Sequence, residues 1–330
     1  MAGRGTRLRP HTLTTPKPLL QIAGKTIVQR LAEDIAEIYN GKIDHIAFVI
    51  GDFGKEVEQQ LLGIAEKLGA KGSLHLQETP LGTAHAIWQA REAMDGEVII
   101  AFADTLFRAD FAMDRSKDGV IWVKTVENPQ SFGVVTLDAD DNINGMVEKP
   151  QTPVSDLAII GIYYIRDGAA LRSEIQYLLD NDVREKGEFQ LTNALENMRL
   201  KGAKFGAGKV NDWMDCGNKE AVLDTNRKIL NYDHVAGKSL RGSNVTLRDS
   251  IVIEPCFFGN GVVIENSVVG PYVTLMDNTT VSRSVITMTM AGAGSQLANA
   301  VLHDSMVGTS SVASLKAKNL DLGDYSRIRE

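Results

Sequence analysis

Gly3-Arg4-Gly5-Thr6-Arg7-Leu8-Arg9-Pro10 opens the chain, and Thr14-Thr15-Pro16-Lys17-Pro18-Leu19-Leu20 lies close behind it. Two glycines in three positions let successive backbone N–H groups turn toward one point, because no Cβ stands in the way. Arg4, Arg7 and Arg9, with Lys17 held between prolines, supply fixed positive charge of the kind that pairs with phosphate oxygens. A loop of this make-up suits a triphosphate. Its spacing is neither that of the G-x-x-x-x-G-K-S/T loop nor that of G-x-G-x-x-G. Read alone, a basic surface turn would look the same, so the remainder of the chain has to decide.

Downstream, helical and strand periods alternate. Ile27, Leu31, Ile35 and Ile38 form a helical face over 26–39, and Ile46-Ala47-Phe48-Val49-Ile50 is a short apolar run that reads as a buried strand. Val57, Leu61, Ile64 and Leu68 mark a second helix that Gly69 suits to end. Leu74 and Leu76 belong to a strand ending at Gln77. Thr83 to Met94 is a third helix with Thr83 as its N-cap, and the strand 98–103 ends at Asp104. This alternation implies a Rossmann-like α/β domain with a mostly parallel sheet, in which ligands sit at the carboxyl ends of strands. Gln77 and Asp104 both stand at such ends. Segments 119–165 are strand-rich, and helices return at about 168–181, 190–201 and 217–231.

The last third obeys another rule. Val245, Ile251, Phe257, Val263, Val269, Leu275 and Val281 recur at six-residue spacing, a period that fits neither a helix nor an alternating strand. It is the hexapeptide repeat of a left-handed parallel β-helix, with one inward apolar residue per face. Thr287 breaks this register, 288–300 reads as irregular, and Val301, Val307 and Ala313 resume the spacing. The expected domains are therefore 1–232 and 238–330.

Composition narrows the classes. The chain has 330 residues, 43% hydrophobic and 23% charged, which is globular and long enough for two domains. A net charge of −7 argues against a general nucleic-acid or anionic-membrane binder and makes the basic cluster near the start a focused anion site. Cys216 and Cys256 form neither a zinc pattern nor a disulfide framework, which fits a cytoplasmic protein.

The opening stretch resembles the G-x-G-T-R-L-x-P…P-K signature of the sugar-phosphate nucleotidyltransferases. Members join a sugar 1-phosphate to a nucleoside triphosphate and release pyrophosphate. The resemblance runs through most of residues 2–230, and several members carry a β-helix extension. It implies that Arg7 and Lys17 hold the triphosphate, with Gly3, Gly5 and Thr6 lining the nucleotide. Gln77-Glu78-Thr79-Pro80-Leu81-Gly82-Thr83-Ala84-His85-Ala86 resembles the family's base-reading segment, which makes Gln77, Gly82 and Thr83 nucleotide-binding. Gly82 is expected to let the backbone approach the base closely. His85 falls on the next helix and reads as structural, and Tyr163 reads as core. Asp104 and Asp215, the latter in Trp213-Met214-Asp215-Cys216-Gly217, become Mg²⁺ ligands, since Mg²⁺ takes carboxylates together with phosphate oxygens. Glu148-Lys149-Pro150, Gly133 and Glu188 become the sugar-phosphate side.

Within this family dTTP with glucose 1-phosphate leads, beside GTP with mannose 1-phosphate and UTP with N-acetylglucosamine 1-phosphate. A catalytically silent regulatory relative and an acyltransferase using His303 are the competing classes. A homo-oligomer through the β-helix is expected, with neither nucleic acid nor membrane as partner. In the family a buried strand precedes the glycine loop. Here Met1-Ala2-Gly3 stands in its place, so the expectation is a sheet with that strand missing and its neighbours' ladder groups unpaired.

Overall fold

The computed structural model describes residues 5–109 and 113–316. It divides into two compact units: residues up to Gln21 with Lys25–Asn218, and Ile22–Gly24 with Lys219 onward.

Short strands β1 (Gln21–Ile22) and β2 (Lys25–Thr26) precede α1 (Ile27–Tyr39). The Thr26 hydroxyl caps that helix by accepting from Gln29 N, and Asn40 closes it in the left-handed region. β3 (His45–Ile50), α2 (Lys55–Lys67) and β4 (Lys71–Leu76) make a crossover unit, and β3 and β4 pair in parallel. Phe48 and Ile50 bury against Leu61, Ile64 and Ala65. α3 (Thr83–Gln89) is shorter than its apolar pattern implied, and its N-cap is Gly82 rather than Thr83. Thr83 is the first helical residue, and its hydroxyl serves another segment.

β5 (Val98–Ala101), β6 (Thr105–Arg108), β7 (Gly119–Thr125), β8 (Gly133–Leu137), β9 (Ile143–Glu148) and β10 (Leu157–Ile165) come next. After them stand α4 (Gly168–Asp180), α5 (Leu191–Leu200), β11 (Phe205–Lys209) and β12 (Asp212–Asp215). A six-stranded sheet runs β11-β7-β10-β8-β9, with β5 also on β10. This sheet is mixed, not mostly parallel as the sequence implied. β7 and β11 are parallel, whereas β10 is antiparallel to β5, β7 and β8. The loop Asp138–Asn142 explains the β8–β9 pair. The Asp138 carboxylate accepts from the backbone N–H of Asp140 and Asn142, a turn too short for a parallel crossover. Among the described residues, β3 pairs only with β4 and β5 only with β10, so each keeps one edge without a strand.

β10 is the spine of this unit, buried from Ala158 to Ile165. Its register slips at Gly161, whose φ is +84°. Phe102 lies on that glycine and donates its N–H to Gly161 O at 2.9 Å. The bulge thus seats the end of β5 and the turn that carries Asp104.

The second unit begins with α6 (Lys219–Val235). Its coils comprise β13 (Thr246–Arg248), β14 (Ile251–Val252), β15 (Cys256–Phe258), β16 (Val263–Glu265), β17 (Val268–Val269), β18 (Val273–Leu275), β19 (Thr280–Ser282), β20 (Val285–Ile286), β21 (Met290–Ala291), β22 (Gln296–Ala298), β23 (Val301–Leu302), β24 (Met306–Val307) and β25 (Val312–Ser314). They stack into three parallel sheets, as in a left-handed β-helix. The inward residues correct the sequence register. Ile264, Val281 and Leu297 stack on one face, Val269 and Ile286 on the second, Phe258, Leu275 and Ala291 on the third. Ile251 and Val301 are 62% and 79% exposed, so two positions of the six-residue series point outward.

The coils are shorter than three hexapeptides. Ile264 pairs with Val281 17 positions on, and Val281 with Leu297 after 16. Five-residue faces therefore interrupt the six-residue ones. Ile286, not Thr287, is the inward residue, and 288–300 continues the coil as β21 and β22. Corners take residues that tolerate positive φ, among them Asn244, Asn266, Asn278 and Asn299. One corner is tied by a serine stack. Ser267 N donates to Ser250 Oγ, Ser284 N to Ser267 Oγ, and Ala300 N to Ser284 Oγ, each at 3.1 Å. On α6, Asn226 Oδ1 accepts from the buried Thr274 hydroxyl at 2.7 Å.

Candidate active site

β6 and β12 form an antiparallel pair with Thr105 opposite Asp215, and Cys216 N donates to Asp104 O at 3.0 Å. This short ladder sets two carboxylates side by side. Gly217 carries no Cβ where one would stand 2.8 Å from Asp215 Oδ2, so the Asp215 side chain folds back over it. Lys17 reaches the same place from the opening loop, with Nζ 2.9 Å from Asp104 Oδ2, and its side chain is only 11% exposed. Its loop is held in shape by Gly5, at φ +56°, whose carbonyl accepts from Thr12 Oγ1 at 2.6 Å. A Cβ at Gly5 would press on Lys17 Cβ and Thr12, so this glycine is needed for the lysine's approach. Arg7 and Thr6 lie on a single exposed 3-10 turn pinned by buried Leu8.

The charges interact. Burial raises the pKa of Asp215, Asp104 raises it further, and Lys17, Arg7 and the Gly217 N–H pull against that rise. Arg7, Lys17, Asp104 and Asp215, all expected from the sequence, are thus one electrostatic cluster. Gly3 lies outside the described residues.

A second group surrounds the end of β9. Glu148 Oε2 accepts from the Thr192 hydroxyl at 2.9 Å, and a Cβ at Gly133 would stand 2.9 Å from the same oxygen. Lys149 turns back at φ +43°, giving its N–H to Phe132 O, with Nζ 3.6 Å from Glu148. Tyr163 is buried beneath, and burial together with the Glu148 charge pushes its phenol well above the usual range, as suits a core tyrosine. The Phe132 ring packs edge-on against Trp213 at 5.0 Å, connecting this group to the strand that ends in Asp215.

The third group is the segment after β4. Gln77 is 7% exposed, and its Nε2 faces Gly82 O at 3.3 Å and His85 Nδ1 at 3.0 Å. Gly82 has φ +116°, and a Cβ there would fall 2.4 Å from Phe189 O. The backbone of 188–190 by itself demands that this position lack a side chain. Thr83 Oγ1 accepts from Leu191 N at 2.9 Å and faces Gln190 Oε1, while Gln190 Nε2 donates to Glu188 at 3.0 Å. The Thr83 hydroxyl thereby joins the second and third groups through 188–192.

Thr192 and Gln190, both 4% exposed, belong to the stretch 186–192 that resembles a sugar-contacting segment, but of that stretch the sequence reading gives a role to Glu188 alone. No local pattern at the start of α5 marks them, because their partners lie 44 and 107 positions away. The arrangement offers cations and paired carboxylates at one end and hydroxyl, carboxylate and lysine groups at the other. That is the equipment for holding two anionic substrates near a hard metal ion.

An α/β domain with this anion loop, joined to a parallel β-helix, defines a nucleotide-handling transferase class. The family model for nucleotidyl transferases matches residues 1–232, and the chain belongs to that family of enzymes. It is 28% identical over 354 residues to a glucose-1-phosphate thymidylyltransferase of Streptomyces antibioticus, covering 99% of this chain and 97% of that one. It is 31% identical to the bifunctional protein GlmU of Methanococcus maripaludis over 77% of this chain and 60% of the relative. A crystal structure from Bacillus anthracis, provisionally described as a glucose-1-phosphate thymidylyltransferase in complex with sucrose, shares the fold. Its TM-score is 0.56 at 20% identity, over 68% of this chain and 91% of that one. Among the described residues no helix is long and apolar enough to cross a membrane.

Proposed function

We propose that this chain joins a sugar 1-phosphate to a nucleoside triphosphate, with dTTP and glucose 1-phosphate as the pair. The observation that carries the reading is the cluster of Lys17, Arg7, Asp104 and Asp215. The names of relatives aligned along nearly the full chain support the pair. GTP with mannose 1-phosphate and UTP with N-acetylglucosamine 1-phosphate are the alternatives within the same reaction. A silent regulatory role is disfavoured, since every charged group the reaction needs is present.

The sugar phosphate has a second pKa of roughly 6, so its oxygen is already a nucleophile near neutral pH. It attacks the α-phosphorus, a P–O bond forms, and the bond to the β-phosphate oxygen breaks as pyrophosphate leaves. No covalent enzyme intermediate is needed. Lys17 and Arg7 hold the triphosphate, and Lys149 brings in the sugar phosphate against the repulsion of two anions. Glu148, fixed by Thr192, accepts from sugar hydroxyls, with Gly133 and Glu188 bordering the ring. Gln77 reads the base, and Gly5, Thr6, Gly82 and Thr83 shape the loops around it.

The donor set fits Mg²⁺. Asp104 and Asp215 are two hard oxygen donors whose mutual repulsion a cation relieves. Among the described residues no group of three or more His, Cys, Asp or Glu could hold a metal alone, so substrate oxygens and water complete the shell. When bound, the ion supplies neutralising charge beside the α-phosphate.

The β-helix contributes the surface for self-association. Ile251, Val268, Val285 and Val301 stand in register on one sheet, and Ile251, Val285 and Val301 face outward, an uncharged row suited to a second copy. Light scattering of native chain against Val301→Glu tests this, and an unchanged mass would remove that role. Two buried cysteines outside any disulfide agree with a cytoplasmic setting.

The test is pyrophosphate release with Mg²⁺, crossing dTTP, UTP, GTP and CTP with the three sugar 1-phosphates. Release with one pair establishes reaction and substrate together. Silence with every pair in folded protein would overturn the catalytic reading.

A further inference from the structure

Gln77 is held through one end of its amide. Its side chain is nearly buried at the end of β4, and both N–H groups of the amide are directed at protein acceptors, Gly82 O at 3.3 Å and His85 Nδ1 at 3.0 Å. Its Oε1 has no hydrogen-bond partner among the described residues. One turn further along α3, Gln89 donates Nε2 to His85 O at 3.1 Å and stands 3.2 Å from His85 Nε2. A neutral imidazole has one lone pair and one N–H, so it accepts from only one of the two amides. Both amides are oriented by backbone carbonyls, and the shorter contact is to Gln77. We assign the ring lone pair to Nδ1 on this shorter contact and the proton to Nε2, which leaves the approach of Gln89 to Nε2 without a hydrogen bond.

We propose that His85 is a positioning residue for base selection: its Nδ1 holds the Gln77 amide with Oε1 toward the nucleobase, so the site takes bases that present an N–H there. The inference rests on the proposed role of Gln77 in facing the base. An acceptor at that point favours the ring N–H of thymine, uracil or guanine over the bare ring nitrogen of cytosine or adenine. Burial lowers the His85 pKa, which keeps the ring neutral and its lone pair available. Without His85 the amide is free to turn and present its amino group instead, and discrimination narrows.

The test measures binding of dTTP, UTP, GTP, CTP and ATP with Mg²⁺ by calorimetry, with inorganic triphosphate as a probe that lacks a base. In His85→Phe the spread between the tightest ring-N–H base and CTP or ATP should shrink by at least about tenfold. Affinity for inorganic triphosphate should stay within about twofold, which a merely structural role would not predict. His85→Asn, whose Oδ1 stands in for Nδ1, should restore the spread. On a Gln77→Ala background His85→Phe should change nothing further. An unchanged spread in His85→Phe, with Gln77→Ala abolishing it, overturns the role of His85. An unchanged spread in Gln77→Ala overturns the base-reading assignment itself, and this inference with it. Should His85→Phe fail to fold, the pair His85→Asn and His85→Gln decides. Glutamine reaches only the Nε2 position, so narrowing in Gln but not in Asn supports the proposal, and equal behaviour defeats it.

Discussion

Gly82 shows how the fold alone can demand a glycine, whatever that residue does for a ligand. Its glycine character comes from a left-handed φ and from Phe189 backbone only 2.4 Å from where a Cβ would stand. Gly82→Ala should therefore cost about 2–4 kcal/mol of stability, as forced backbone at positive φ does. Thermal unfolding decides this, and a variant that melts like the native chain would return Gly82 to a purely ligand-facing role. Lys17 behaves differently, because its partner is a carboxylate and not the core. Lys17→Ala and Arg7→Ala should each lower turnover by about 10²-fold or more while leaving folding nearly intact, since removing a preorganised charge from a transition state costs about that much. Near-native rates in either purified variant would end its assignment.

At the scale of elements, Asp34 on α1 is informative. Its Oδ1 lies 3.5 Å from Arg108 Nη1 on β6, and its Oδ2 has no hydrogen-bond partner among the described residues. Desolvation outweighs the attraction of Arg108 and Arg30 and raises its pKa from 3.8 to about 6. The folded chain thus keeps Asp34 protonated up to about pH 6. Asp34 costs nothing below the unfolded pKa; its penalty grows as pH rises from 3.8 toward the folded value of about 6 and levels off above it. Asp34→Asn should gain on the native chain by on the order of 2–3 kcal/mol between pH 4 and pH 7.5. Urea unfolding at both pH values measures the gap, and a constant gap would mean that Asp34 is ionised in the folded chain throughout. The β-helix offers a cleaner contrast. Ile286 is fully buried and Thr287 is not. Ile286→Ala should cost about 2–4 kcal/mol and Thr287→Ala less than about 1 kcal/mol. A strict six-residue register predicts the reverse order.

For the whole molecule, the proposed Mg²⁺ should matter to catalysis and not to folding. Asp104 and Asp215 are placed by the β6–β12 ladder and the Cys216 N–H, none of which needs a cation. Chelation with EDTA should therefore abolish turnover while leaving the melting temperature within about 2 °C. A large loss of stability on chelation would make the metal structural.

Much of this plan was legible in the chain. The opening loop, the alternating helices and strands, and the change of period after Tyr232 each rest on local patterns of a few residues, and local patterns survive in a linear string. The place of Asp104 at a strand end was legible too, because strand ends are where an open α/β sheet binds ligands, whereas its ion pair with Lys17 was not. What the string could not decide was how distant segments meet. Whether β10 pairs in parallel or antiparallel, whether a coil closes in 18 residues or in 17, and why Gly82 must lack a side chain all depend on chain from elsewhere. Thr192 became visible only through Glu148, and the orientation of Gln77 only through His85. Motif and period marked most of the elements and the charged groups they bear. Packing alone determined register and hydrogen-bond partners, since those depend on distances between residues that sequence order does not encode.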